Sequence, residues 1–79
     1  MKRYKSIFKE SKEDVIKRAL NFADSGSFPV NRKVFRFMMY LNDEQFDIEE
    51  IKQLACEFYK IHRSKVEGIF KEVERLEKI

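Results

Sequence analysis

An all-α domain of four helices is the fold this chain predicts, and three features carry that expectation. Apolar residues recur at spacings of three and four along nearly the whole chain, and no stretch alternates with the two-residue period of a strand. Helix start signals, a short polar acceptor followed three residues later by an acid, occur more than once. Two glycines and one proline in 79 residues leave room for few turns.

The first helix is expected to begin at "SKED", where the Ser11 side chain can accept a bond from the Asp14 amide, one of the donors a helix start leaves without a partner. Val15, Ala19, Phe22 and Ala23 then share a face, and Ser25 with Gly26 is expected to end the helix through a left-handed glycine. For the second helix, in "SFPVNRKVFRFMMYLND", Asn31 is the expected cap, clasped by Val30 and Phe35. Asp47 and Glu50 open the third helix, with Phe46 and Ile51 as its staple and Ile48, Ile51, Leu54, Ala55 and Phe58 as its apolar stripe. Ser64 and Glu67 form the box that starts the fourth, whose Val66, Ile69, Val73 and Leu76 make a short heptad seam. Residues 1–10 are a basic arm or a short extra turn, so residues 1–79 are read as one domain.

A chain this short hides only around 60 to 65% of the surface its unfolded form exposes, so its stability is expected to be modest without a partner. The run "VFRFMMYL", residues 34–41, sharpens that expectation, because a helix that is apolar all round is normally covered on all sides. Phe37, Met39 and Tyr40, with Val73 and Leu76 from the seam, are the candidate interface, and a homodimer is its commonest use.

Net charge is only +3, but its signs are segregated. Residues 1–12 carry +4, residues 25–41 carry +3, residues 42–57 carry −5 and residues 58–65 return to +3. Such segregation can create a basic face on a nearly neutral body. Lys2, Arg3 and Lys5 of the arm, Arg32, Lys33 and Arg36 of the second helix, and His62, Arg63, Ser64 and Lys65 before and in the fourth are the candidate nucleic-acid contacts.

Chemistry is not indicated. Cys56 and His62 are the sole cysteine and histidine and lie six residues apart, which offers neither a nucleophile beside its base nor a zinc ligand set. Two isolated glycines do not build a phosphate-cradling loop. No catalytic residue, metal or cofactor is therefore expected, and the chain reads as a non-enzyme. A lone cysteine and the absence of an apolar signal core or membrane span point to a cytoplasmic protein with no membrane partner.

The segment "DIEEIKQLACEFYKIHRSKVEGIFKEV" resembles the generic helix-turn-helix pattern of bacterial and phage DNA-binding proteins. Ala55 stands at the small crossing position, and Phe58, Ile61, Val66 and Ile69 supply the apolar ones. The spacing from Ala55 to Val66 is one residue longer than in the compact version, and Tyr59 or Lys60 stands where a turn glycine is usual. The resemblance implies a recognition helix starting near Ser64 and a DNA-binding regulator or accessory factor, dimeric in solution. A protein-interaction module, adaptor or inhibitor, built on the apolar second helix is the competing expectation. Gly68, inside the fourth helix, is expected to permit a close backbone approach.

Overall fold

The computed structural model describes residues 11–77, which form four helices: α1 (Lys12–Ala23), α2 (Val30–Asp43), α3 (Ile48–Tyr59) and α4 (Arg63–Glu77). Strands are absent among the described residues. The arm residues Lys2, Arg3 and Lys5 lie outside them.

Helix α2 is the centre of the fold. Val34, Phe37, Met38 and Leu41 follow the i, i+3, i+4, i+7 rule and are fully buried. Helices α2, α3 and α4 pack against one another as a trio, whereas α1 packs against α2 alone. Helix α1 approaches through Val15, Ala19 and Ala23, whose small side chains bring the two helices close. From the other flank Ile51 and Ala55 of α3 meet Val66, Phe70 and Val73 of α4 in the same core. This arrangement explains why "VFRFMMYL" is apolar in every direction: α1 covers one side of α2 while α3 and α4 cover the other.

The cover is complete enough to correct the candidate interface. Phe37 and Val73 are fully buried, so neither presents a surface. Met39 is half-buried against the core. Tyr40 packs against Phe22 of α1 with the rings tilted by 42° and 5.5 Å between centroids, and its hydroxyl accepts a 3.3 Å bond from Arg18 Nε. Of the five residues only Leu76 stands open, at 51% exposure.

Helix ends follow the expected chemistry in part. Ser11 caps α1 by accepting from the Asp14 amide at 3.2 Å, and Asp47 occupies the cap position of α3 without a side-chain bond. Pro29, not Asn31, is the cap residue of α2, because its fixed φ suits a chain entering a helix. Helix α4 starts at Arg63, so Ser64 lies within the first turn and is not its cap; the His62 carbonyl accepts from the Lys65 and Val66 amides at 3.1 Å.

No glycine among the described residues takes a positive φ. Asp24 ends α1 in an ordinary conformation, and Gly26 serves sterically: a Cβ there would sit 2.6 Å from Cε2 of Phe28. The left-handed positions belong to Gln45 (φ 65°) and Lys60 (φ 51°). Beyond α2, the Phe46 amide bonds back to the Leu41 carbonyl and the Gln45 amide to that of Asn42, the paired bonds of a Schellman ending. Phe46 thereby folds onto the core.

Candidate nucleic-acid interface

A three-residue turn, Lys60, Ile61 and His62, joins α3 to α4. Lys60 reverses the chain with its left-handed backbone, Ile61 packs on the core, and His62 stays exposed. Ser64, Lys65, Gly68, Lys71, Glu72 and Arg75 then face outward from α4. Ser64, Gly68, Lys71 and Arg75 fall in one stripe at spacings of four, three and four, small residues first and cations after.

The proposed cations divide sharply by what they touch. Arg63 donates from Nη2 to Glu49 at 2.8 Å and from Nε to Glu67 at 2.9 Å, which clamps the start of α4 to the first turn of α3. Lys52 donates to the other oxygen of Glu67 at 3.2 Å while its ammonium lies 5.2 Å from the Phe70 ring centroid. Hydrogen bonds from Lys52 and then Arg63 hold the Glu67 carboxyl below its ordinary range, and the bond to Glu49 leads in raising the Arg63 guanidinium above its own. Arg63 is thus committed to a structural network, not presented free to a phosphate.

Arg36 is more deeply engaged. Its guanidinium lies between the rings of Phe22 and Phe28, 4.1 and 4.6 Å from their centroids. Nη2 donates to the Phe22 carbonyl at 3.0 Å and to Ser25 Oγ at 3.3 Å, placing a cation at the carbonyl end of α1, where the helix dipole favours it. Its Nε is buried with no partner. Lys33 pairs with Asp24 at 2.8 Å. These two residues fasten α1 to α2, so the α2 cluster expected to track phosphate reduces to exposed Arg32.

Lys65, Ser64 and His62 are exposed as expected, and the structure adds Lys60 and Lys71, which the helix-start reading had passed over. For Lys71 the available signal was its helical phase relative to Val66 and Ile69, and for Lys60 its place in the turn. The body as a whole is not basic. Residues 11–77 hold twelve bases and thirteen acids, so the excess positive charge lies in the first ten residues and Lys78.

Beside the outward stripe runs a groove of about 490 Å³ between the start of α2 and the face of α4. Pro29, Arg32 and Phe35 form one wall, and Gly68, Ile69, Glu72 and Leu76 the other. Among the described residues nothing lies within 4 Å of a Cβ built at Gly68, so none of them requires that glycine. Among the described residues there is no cluster of three metal-ligating side chains, and no helix is long and apolar enough to cross a membrane. No protein-family model, curated protein or solved structure matches the chain.

Proposed function

We propose that this chain is a small DNA-binding helix-turn-helix protein that sets the outward stripe of α4 against duplex DNA and holds phosphates with the basic residues of its first ten positions. The observation that carries the reading is the turn. Counted from Cys56, a small half-buried residue packed on the core, the spacing to Val66 is that of the compact motif, and left-handed Lys60 then stands at the position a glycine usually takes. The extra residue counted from Ala55 therefore disappears, and Ala55 remains a fully buried core residue one position earlier. The trio of α2, α3 and α4 is the packing such a motif needs to hold its second helix outward.

The charge distribution shapes what the binding must look like. A body with one net negative charge supplies little long-range attraction, so Lys2, Arg3 and Lys5 together with Lys65 and Lys71 must provide it. Five neutralised phosphates correspond to a slope of about −4 to −5 in log affinity against log salt. Fluorescence anisotropy of labelled duplex across salt concentrations measures this directly. Replacing Lys65 and Lys71 by alanine is expected to lower the slope by about two while leaving helicity unchanged. Salt-independent binding, or none at low salt, would refute the reading.

A protein-interaction module is the second reading, favoured by the groove. Its apolar floor and its unexplained glycine suit a helix as partner better than a phosphate backbone.

A further inference from the structure

We infer that α1 is an exchangeable element through which two copies of this chain pair, α1 of each lying on α2 of the other in the place its own α1 takes in the monomer. The face that α1 covers identifies what can cover it. Val15, Ala19 and Ala23 set a row of small buried side chains against α2, so a helix must be narrow on that face to seat closely. Phe22 reaches both Tyr40, at 5.5 Å between ring centroids, and the Arg36 guanidinium, 4.1 Å from its ring. Arg36 also needs a helix end, because its Nη2 donates to the Phe22 carbonyl at 3.0 Å and to Ser25 Oγ at 3.3 Å. Lys33 meets Asp24 at the close of α1, and Glu50 meets Lys12 at its start. The α1 of a second copy carries every one of these groups at the same spacing, so the contact itself names its occupant.

Connectivity decides which copy supplies the helix, and here connectivity is weakly enforced. Helix α1 packs on α2 and reaches α3 only at its rim, so it can leave while α2, α3 and α4 stay together. Between Ser25, which stays bonded to the end of α1, and Pro29, which opens α2, lie Gly26, Ser27 and Phe28. Among the described residues these three enter no backbone hydrogen bond, so extending the connection disturbs the ladder of neither helix. Its first residue is a glycine, whose backbone changes direction at little cost. The closed and exchanged forms make the same α1–α2 contacts, so they differ mainly in the freedom lost when two chains become one particle, which high concentration offsets.

Exchange turns Tyr40, one of the residues expected at an interface, into a contact between copies through the partner subunit's Phe22. The inference does not rest on the DNA reading, and the association is measured without DNA.

The test uses the full chain. An equimolar mixture of isotope-labelled and unlabelled protein, at millimolar concentration, is passed through mild urea and returned to buffer. A carbodiimide then joins ammonium to carboxylate where the two touch, and Lys12 Nζ lies 2.9 Å from Glu50. In the dimer fraction, Lys12–Glu50 links between a labelled and an unlabelled peptide are expected as often as same-label links, as random pairing dictates. In a monomer, or in a dimer formed through any outer face, that link stays within one label. Lys33→Glu and Asp24→Lys supply a second measurement, since each sets like charges between α1 and α2 of its own chain. Mixed, they restore opposite charges at both sites only by exchanging α1 with each other, and native mass spectrometry is expected to find the heterodimer enriched about tenfold over either homodimer. A monomer mass throughout, same-label links alone, or a heterodimer no more abundant than random pairing gives would each overturn the proposal, and each leaves the DNA titration free to succeed.

Discussion

Gly68→Ala separates what α4 requires from what a partner requires. Glycine inside a helix is less favourable than alanine by about 1 kcal/mol, through backbone entropy in the unfolded chain. That gain is usually offset wherever the new methyl group meets a neighbour. Among the described residues nothing lies within 4 Å of a Cβ added at Gly68, and the residue is in the middle of a helix running from Arg63 to Glu77, so the gain should appear undiminished. For a domain of this size about 1 kcal/mol corresponds to a rise in Tm of roughly 4 to 8 °C. Thermal and urea unfolding followed by circular dichroism, at a concentration where the wild type is monomeric, gives the number. A fall in monomer stability would show that something in the chain does crowd Gly68, and the glycine would lose its meaning as a mark of an outside contact.

Arg36→Ala removes a charged hydrogen bond to the Phe22 carbonyl and a cation held between two rings, and is expected to cost about 2 to 3 kcal/mol in urea unfolding after allowing for the unpartnered Nε it also removes. Gly26→Ala pushes the Phe28 ring away from the same guanidinium; the two substitutions together should cost less than their sum by at least about 0.5 kcal/mol, and strict additivity would mean that the ring and the arginine are energetically separate. The Glu67 carboxyl is held below its ordinary value of 4.5 by Lys52 and then Arg63. Its folded-state pKa being depressed, its stabilising contribution is present above about pH 4.5 and is lost as pH falls through the lower folded value. The difference in urea midpoint between the wild type and Glu67→Gln should therefore shrink on acidification, and a difference constant from pH 6 downward through the carboxylate range would count against the clamp.

Much of this fold was legible because its information is local. The apolar phases of Val15, Ala19 and Ala23, and of Ile51 and Ala55, identified helices and the faces they bury, whereas the second helix, apolar all round, gave its presence but not its buried side, and Phe37 was placed on the wrong one. The cap at Ser11 was equally local, since donor and acceptor are three residues apart. What could not be read is what depends on a distant partner. Arg63 looks from its neighbours like a free cation at a helix start, and only the arrival of Glu49, fourteen residues away, turns it into a clamp. Arg36 likewise owes its burial to Phe22 and Phe28 across the α1–α2 connection. The two glycines misled for a related reason. Gly26 was expected in a left-handed turn and Gly68 at a close backbone approach, yet Gln45 and Lys60 take the left-handed conformations, Gly26 answers to a ring, and Gly68 has nothing within 4 Å of an added Cβ among the described residues. The left-handed residue of the turn between α3 and α4 also required coordinates, since the sequence left Tyr59 and Lys60 open and the structure gives that conformation to Lys60.

The one-sided attachment of α1 sets an order of events in the folded chain. Three helices share a common core, whereas α1 packs against α2, through Val15, two alanines and the Arg36 clasp, and reaches α3 only at its rim, by pairs such as Lys12 with Glu50 at 2.9 Å. A helix packed against a single neighbour can open without parting the other three from one another. Amide hydrogens of α1 are therefore the ones that should exchange with solvent first, by a sub-global opening that leaves α2, α3 and α4 folded. Each such opening would uncover Phe22 and the α1-facing side of α2, including Tyr40, so one side of the apolar run at residues 34–41 is shielded by a helix that can leave while the other three stay together.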